Sequence, residues 1–210
     1  MSTAPILTLV VDRAGAGWLD AVLRAVPRGS TGVQLRDKAP SGRDLLSLAQ
    51  SVRGVTARHG ALFLVNDRLD VARAVGADGV HLGRESVSPV DARHVWPAAH
   101  IGVSCHSLEE AVEAVQGGAD LVVLGPIYET PSKRALGLEP RGPGLIASAR
   151  ARAGAAVPIM AIGGVTDVTA PQLRAAGASG LAVIRAVFAA LDPPSAARRL
   201  VDSWLNLDPA

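Results

Sequence analysis

The stretch Val75-Gly76-Ala77-Asp78-Gly79-Val80 occurs in two further versions, Gly117-Gly118-Ala119-Asp120-Leu121-Val122 and Ala176-Gly177-Ala178-Ser179-Gly180-Leu181. In each version a segment with helical spacing ends at a glycine, a polar residue follows shortly after, and an apolar run begins. Glycine at such a position supplies the left-handed C-cap that lets a chain leave a helix and enter a strand. The three versions therefore predict an internal repeat of one helix-to-strand connection.

Short apolar runs rich in Val, Ile and Leu recur along the whole chain. Most are apolar at nearly every position, which is typical of strands buried on both faces of a parallel sheet. They predict strands at Ile6–Asp12, Gly32–Asp37, Leu62–Asp67, Gly79–Gly83, His100–Cys105, Leu121–Tyr128, Pro158–Gly164 and Gly180–Ala186.

The segments between these runs have helical spacing. We expect helices at Ala16–Val26, Ser41–His59, Arg68–Val75, Ser88–Trp96, Ser107–Gln116, Gly142–Ala153, Asp167–Ala176 and Pro194–Leu205. Several begin with a start signal, such as the Ser-x-x-Glu capping box at Ser107-Leu108-Glu109-Glu110.

Strands that alternate with helices favour an α/β fold with a parallel sheet. A closed (β/α)8 TIM barrel fits best, as a single domain over residues 1–210, close to the lower size limit of that fold. A doubly wound open sheet is the alternative. Such a sheet commonly carries a glycine-rich dinucleotide loop after its first strand, and Asp12-Arg13-Ala14-Gly15-Ala16-Gly17 matches that loop poorly.

The composition restricts the partners and the compartment. Hydrophobic residues make up 49% of the chain and charged residues 19%, which excludes a disordered protein. The net charge is +2 and no Lys/Arg block is present, so we expect no nucleic-acid partner. No apolar run suffices for a membrane helix, and the first residues lack a signal peptide pattern. The single cysteine, Cys105, indicates a reducing, cytoplasmic setting.

Polar residues follow nearly every predicted strand, and barrel strands deliver such residues to one active-site face. Arg36 and Lys38 share a strand face and can clamp a diphosphate, or they form a rim salt bridge with Asp37 or Glu129. The Asn66-Asp67 pair offers oxygen ligands for Mg²⁺, or it caps the next helix.

Further candidates follow the later strands. Gly163-Gly164 lets backbone N–H groups approach a phosphate, or it forms a tight turn. Lys133 lies in a loop that folds over an anion or is solvated. His106 is a candidate acid or base, with a structural histidine as the alternative. Cys105 points away from His106, so we expect no Cys–His nucleophile, and we expect a structural role for His81.

The order of these motifs resembles the thiamine-phosphate synthase family and its close relatives, the TenI-like thiazole tautomerases. The resemblance extends from about Leu7 to Val201 and implies a (β/α)8 barrel that works in thiamine biosynthesis. It is carried by Gln-x-Arg-x-Lys at 34–38, Val-Asn-Asp at 65–67, Gly-Val-His-Leu-Gly at 79–83, Gly-Val-Ser-x-His at 102–106, Gly-Pro-Ile-Tyr-x-Thr-x-Ser-Lys at 125–133, Ile-Gly-Gly at 162–164 and Ala-Val-Ile at 182–184.

The resemblance also implies residue roles. In the synthase, an aminopyrimidine diphosphate loses pyrophosphate, and the thiazole phosphate nitrogen captures the resulting cation. The diphosphate contacts implied are Gln34, Arg36, Lys38, Asn66 and Lys133. The pocket lining implied is Ser104, Thr130 and Ser132, and the backbone groups implied for the thiazole phosphate are those of Gly164, Val183 and Ile184. Asp67 would be one ligand of Mg²⁺, the cofactor of the synthase.

One segment departs from the synthase pattern. After the fourth strand that pattern is Gly-Gln-x-Asp, whose Asp is the second Mg²⁺ ligand, whereas this chain has Gly83-Arg84-Glu85-Ser86. A hydroxyl is a much poorer Mg²⁺ ligand than a carboxylate, and Glu85 is a possible but poorly directed substitute. The segment resembles the tautomerase branch, as do Glu129-Thr130, the run at 107–112 and the Gly-Leu-Glu-x-Arg-Gly at 137–142.

The tautomerase aromatises a thiazole carboxylate phosphate by moving a proton, and it needs no metal or other cofactor. It uses a histidine at the position of His106, and Lys133 and Ser104 are the further catalytic candidates. We therefore take the thiazole tautomerase as the leading hypothesis and the synthase as the alternative. A non-catalytic barrel that binds thiazole phosphate is the third. In each case the partner is a small phosphorylated thiazole, and an exposed helix pair is able to form a homodimer.

Overall fold

The computed structural model describes residues 4–37, 41–130 and 139–206. Its strands are all parallel and close into a barrel in sequence order, with β8 paired to β1. They are β1 (Leu7–Val11), β2 (Thr31–Leu35), β3 (Leu62–Asn66), β4 (Gly79–Leu82), β5 (His100–Cys105), β6 (Leu121–Leu124), β7 (Ile159–Ile162) and β8 (Gly180–Val183). The predicted (β/α)8 barrel is confirmed, and the open sheet is excluded.

Helices alternate with the strands around the barrel. In the described ranges they are α1 (Arg13–Ala16), α2 (Leu19–Ala25), α3 (Gly42–His59), α4 (Leu69–Ala74), α5 (Pro89–Val95), α6 (Leu108–Gln116), α7 (Gly144–Ala153), α8 (Ala170–Ala175), α9 (Arg185–Phe188) and α10 (Pro193–Leu205). The prediction missed α1, which begins because the Asp12 side chain accepts a hydrogen bond from the Gly15 N–H at 2.9 Å. It also missed α9.

Two predicted strands extend at least three residues beyond the observed strand ends. The sixth was predicted to reach Tyr128, but β6 ends at Leu124 because Pro126 has no N–H to continue the ladder. The eighth was predicted to reach Ala186, but β8 ends at Val183, where the backbone of Ile184 (ψ −81°) turns into α9. The apolar pattern continues into a loop after β6 and into α9 after β8, so periodicity alone does not mark the end of either strand.

The internal repeat is confirmed by equivalent contacts at the amino end of the barrel. In each copy the polar residue before the strand accepts a hydrogen bond from a backbone N–H near the start of the neighbouring strand: Asp78 from Phe63, Asp120 from Ile101 and Ser179 from Ile159. An arginine of the helix before that neighbouring strand binds the same polar side chain: Arg53, Arg93 and Arg150. These contacts fix how neighbouring strands are staggered.

Successive strand residues point to opposite faces, so the core has two layers. The outer layer packs strand residues such as Leu9, Phe63 and Ile101 against the helices. A separate cluster fills the barrel interior: Leu64, Leu121, Val123, Met160 and Ala182. The inner face also carries polar side chains near the carboxyl ends of the strands, where the candidate site lies. Among the described residues no helix is long and apolar enough to cross a membrane.

Candidate active site at the carboxyl rim

A chain of hydrogen-bonded side chains crosses the mouth of the barrel from β2 to the loop after β4. Gln34 Nε2 donates to Asn66 Oδ1 at 2.8 Å, and Asn66 Nδ2 donates to Asp67 Oδ2 at 2.6 Å. The Ser86 hydroxyl donates to Asp67 Oδ1 and accepts a hydrogen bond from the Gly83 N–H at 2.7 Å. Residues predicted for diphosphate and metal binding are thus joined in one network.

Local backbone structure sets the position of each member of this network. Gln34 is buried on the inner face of β2, and Asn66 is the last residue of β3. Asp67 follows with a φ of +60°, a left-handed conformation that Asp adopts more readily than most residues. Its N–H still pairs with the His81 carbonyl at 3.0 Å, so the carboxylate lies over the end of β4, within reach of Ser86.

The donor set limits how a metal ion would bind. In the described part of the chain, no three or more His, Cys, Asp or Glu side chains are placed to hold one ion. Mg²⁺ often binds through one or two protein carboxylates together with substrate phosphates. Asp67 fits Mg²⁺ in that manner, as a single carboxylate ligand beside phosphate oxygens. Ser86 binds one of its oxygens, at the position where the resemblance placed a second carboxylate.

Ser104 and His81 form a pair inside the barrel mouth. His81 Nε2 lies 2.8 Å from Ser104 Oγ, and the His81 side chain is buried. Burial lowers the pKa of His81 to about 4, opposed by the negative charge of Asp67 and assisted by the positive charge of Arg36. The imidazole is therefore neutral near pH 7. The structural role predicted for His81 did not include Ser104 as its partner.

Arg36 is exposed and directly follows β2. Its backbone N–H donates to the Val11 carbonyl at 2.7 Å. Because Arg36 directly follows Leu35, the last residue of β2, it lies at the same rim as Asn66 and Asp67. Lys38, the predicted second cation of the clamp, lies outside the described residues, as do Ser132 and Lys133. Thr130 is half-buried at the end of the described loop after β6.

His106 follows β5 beside a carboxylate. The backbone N–H of His106 donates to Glu110 Oε2 at 2.6 Å, and the ring Nδ1 of His106 lies 3.4 Å from the same oxygen. The predicted capping box is present in part, because Ser107 Oγ accepts from the Glu110 N–H at 3.2 Å while the Glu110 side chain binds His106. A carboxylate so placed fixes the position of the imidazole beside the end of β5. The capping motif was the sequence signal for Glu110, although it did not indicate this contact.

Cys105 does not take part in the site. It is 2% exposed and packs in the layer between strands and helices. Burial raises the pKa of its thiol to about 12, and the nearby charges of Glu110 and Glu113 act in the same direction. A protonated, buried thiol is a poor nucleophile.

The glycine pair after β7 lies under the loop after β6. Gly163 and Gly164 have φ values of +95° and +65°, and the Tyr128 N–H donates to the Gly163 carbonyl at 2.9 Å. A Cβ at Gly164 would lie 2.6 Å from that of Tyr128, so this close packing requires glycine. Within the described ranges the Gly164 N–H forms no hydrogen bond. Val183 and Ile184, where β8 passes into α9, lie at this same carboxyl end.

A cavity of about 790 Å³ lies at the opposite, amino end of the barrel. Its lining includes Arg53, Asp78, His100 and Asp120. Arg53, Asp78 and Asp120 are held by the repeat contacts that tie neighbouring strands together. The carboxyl rim, where polar side chains converge without such a structural role, is the candidate active site.

A closed parallel barrel whose polar groups converge at its carboxyl rim is a (β/α)8 barrel of the enzymatic type. The family model described as thiamine monophosphate synthase matches residues 7–187. The chain therefore belongs to the thiamine monophosphate synthase family of enzymes, as the resemblance in its motifs predicted.

Individual relatives match over most of their length. A thiamine-phosphate synthase of Methanospirillum hungatei JF-1 is 42% identical, covering 96% of this chain and 97% of the relative. A thiamine-phosphate synthase of Methanoculleus marisnigri is 47% identical, covering 87% of this chain and 86% of the relative. The structure of a thiamine phosphate pyrophosphorylase from Pyrococcus furiosus superimposes with a TM-score of 0.85 at 32% identity, covering 99% of this chain and 98% of that one.

Proposed function

We propose that this chain is a thiamine-phosphate synthase, which joins an aminopyrimidine diphosphate to a thiazole phosphate and releases pyrophosphate. The observation that carries the proposal is the hydrogen-bonded network from Gln34 through Asn66 to Asp67, at the rim where Arg36 follows the end of β2. The relatives named above support it. The sequence-based hypothesis favoured the tautomerase over the synthase, and the comparisons favour the synthase.

In this reaction the residues of the rim network and of the loop after β7 have separate roles. The Arg36 guanidinium and the Asn66 amide bind the diphosphate, and Gln34 fixes Asn66 through the 2.8 Å hydrogen bond. The Gly164 N–H binds the phosphate of the thiazole substrate. Asp67 would be the residue that holds Mg²⁺, and the ion would supply positive charge that makes pyrophosphate a better leaving group. Lys38, Ser132 and Lys133 are proposed as further diphosphate or pocket ligands, as the resemblance implies.

A second candidate function, the thiazole tautomerase, is favoured by two contacts. Ser86 hydrogen-bonds Asp67 where the synthase pattern has a second carboxylate, and Glu110 lies 3.4 Å from the His106 ring. In this reaction the His106 imidazole takes a proton from the thiazole carboxylate phosphate. It then returns a proton to another position of the thiazole ring. Glu110 Oε2, 3.4 Å from Nδ1, holds the His106 ring in place during both steps. No metal ion is needed.

One experiment separates these functions. The purified protein is incubated with both synthase substrates, and separately with the thiazole carboxylate phosphate tautomer, with Mg²⁺ or with EDTA. A synthase forms thiamine phosphate and pyrophosphate only with Mg²⁺, and loses most activity in Asp67→Asn but not in His106→Asn. A tautomerase forms the aromatic product in EDTA and loses it in His106→Asn. A non-catalytic barrel binds thiazole phosphate in calorimetry and forms neither product.

The proposed function also carries expectations for the domain organisation, the ligands, the location and the oligomeric state of the protein. Residues 1–210 act as one domain with phosphorylated small molecules as ligands and no nucleic acid or membrane partner. A cytoplasmic location and a homodimer complete the proposal, and light scattering on the purified chain tests the dimer.

A further inference from the structure

The environment of His81 is unusual for a polar side chain. Its Nδ1 is buried and has no hydrogen-bond partner among the described residues. A Cβ at Gly102 would lie 2.6 Å from Nδ1 and 3.3 Å from Leu64 Cδ1, so the ring is packed tightly on this side. The other ring nitrogen, Nε2, contacts Ser104 Oγ at 2.8 Å. The ring therefore has one polar contact and one nitrogen without any.

A neutral imidazole carries its hydrogen on one nitrogen, and the two tautomers differ in cost here. With hydrogen on Nδ1, a buried N–H donor would have no acceptor, which is rare in folded proteins. With hydrogen on Nε2, the N–H donates to Ser104 Oγ and only a lone pair at Nδ1 lacks a partner. The absence of an acceptor at the buried Nδ1, among the described residues, therefore favours the Nε2–H tautomer.

The tautomer determines what Ser104 can do. A hydroxyl has one hydrogen to donate and two lone pairs that accept. When Nε2–H occupies one lone pair, the Ser104 hydrogen stays free to donate elsewhere. Ser104 is half-buried on the inner face of β5, near the mouth of the barrel, so its hydroxyl is within the candidate site.

We propose that His81 is a positioning residue that holds Ser104 as a hydrogen-bond donor toward an acceptor atom of the bound substrate. The nature of that substrate rests on the proposed function, whereas the direction of the His81–Ser104 hydrogen bond does not. The opposite tautomer would make Ser104 a donor to His81 and leave only lone pairs for the ligand. Gly102 serves the same arrangement, since a larger residue would displace the ring.

The hydrogen bond is tested on the protein alone. Histidine is labelled with ¹⁵N, and long-range ¹H–¹⁵N correlation at neutral pH identifies each tautomer, with His81→Gln assigning the signal of His81. We expect a pyrrole-type shift for Nε2 and a pyridine-type shift for Nδ1. The reverse pattern, or a fully protonated ring, overturns the proposal whatever reaction the protein catalyses.

The effect on turnover is tested with His81→Leu and His81→Gln. Leucine has similar bulk and no donor, so kcat should fall about tenfold or more, whereas glutamine presents an N–H near the position of Nε2 and should recover most of that loss. In the Ser104→Ala background, His81→Leu should have little further effect. Equal loss in both His81 variants at wild-type Tm overturns the proposal. Absence of any synthase or tautomerase turnover overturns the proposed function, and the tautomer measurement then decides this inference.

Discussion

The hydroxyl of Ser86 donates a hydrogen bond to Oδ1 of Asp67. A carboxylate at position 86 would instead place two negative charges at this point, which is favourable only when a cation lies between them or one carboxyl group is protonated. On the proposed function, Ser86 therefore leaves Asp67 as the single carboxylate for Mg²⁺ in this network.

Ser86→Asp should lower the Mg²⁺ concentration needed for half-maximal synthase activity by about tenfold, because a second carboxylate joins Asp67. Without a divalent cation the variant should melt a few degrees lower, since like charges repel, and Mg²⁺ should reverse that shift. Ser86→Asn is the matched neutral control. Identical Mg²⁺ titrations for the Asp and Asn variants would contradict the single-carboxylate site.

Gly164→Ala should destabilise the protein by about 1–3 kcal/mol and raise KM for the phosphorylated thiazole, because φ is +65° and the new Cβ meets Tyr128. Urea unfolding and initial-rate kinetics measure the two effects. Gly144→Ala is the control: a Cβ at this exposed first residue of α7 has no neighbour within 4 Å and should change stability by less than about 0.5 kcal/mol. Similar losses in both variants would refute the packing argument.

Arg93→Ala should cost about 1–2 kcal/mol, because Arg93 binds Asp120 at 2.7 Å, the Gly118 carbonyl at 3.0 Å and the Pro97 carbonyl at 3.2 Å. Arg24→Ala also breaks an arginine–aspartate pair, but Arg24 is 72% exposed, so the loss should stay below about 0.5 kcal/mol. Chemical denaturation compares the two. If the Arg24 variant is the less stable one, the repeat contacts do not hold the barrel as described.

Protonation of His81 should weaken the fold in acid. The folded-state pKa of about 4 lies below the ordinary value of 6.5, because burial disfavours the charged ring. The unfolded chain therefore takes up the proton first, and stability falls as pH decreases from 6.5 towards 4, by up to roughly 3 kcal/mol. Denaturation at neutral pH and at about pH 4.5 measures the change. His81→Gln should show a smaller pH dependence, and an equal one would mean that other groups cause it.

Cys105 should resist alkylation in the native protein, because burial raises its pKa to about 12 and encloses the sulfur. Mass spectrometry after iodoacetamide treatment should show labelling in urea and none in native buffer. Rapid native labelling would contradict the buried thiol and make Cys105 a candidate nucleophile.

The amino-acid sequence by itself determined the barrel. Strands buried on both faces leave continuous apolar runs, and the connections at Asp78, Asp120 and Ser179 repeat in the sequence as they do in their contacts. It also placed the polar residues at one rim, since parallel strands have all their carboxyl ends on the same side. The exact strand ends could not be predicted from the sequence, because the apolar pattern after Leu124 continues into a loop.

Only the tertiary structure decided which of these polar groups touch. Ser86 and Asp67 are 19 positions apart and His81 and Ser104 are 23 apart, on different strands or loops. Whether such residues meet depends on strand register, on the left-handed turn at Asp67 and on the space left by Gly102. Periodicity records which face a side chain occupies, whereas a hydrogen bond requires positions fixed to fractions of an ångström by packing across the whole barrel.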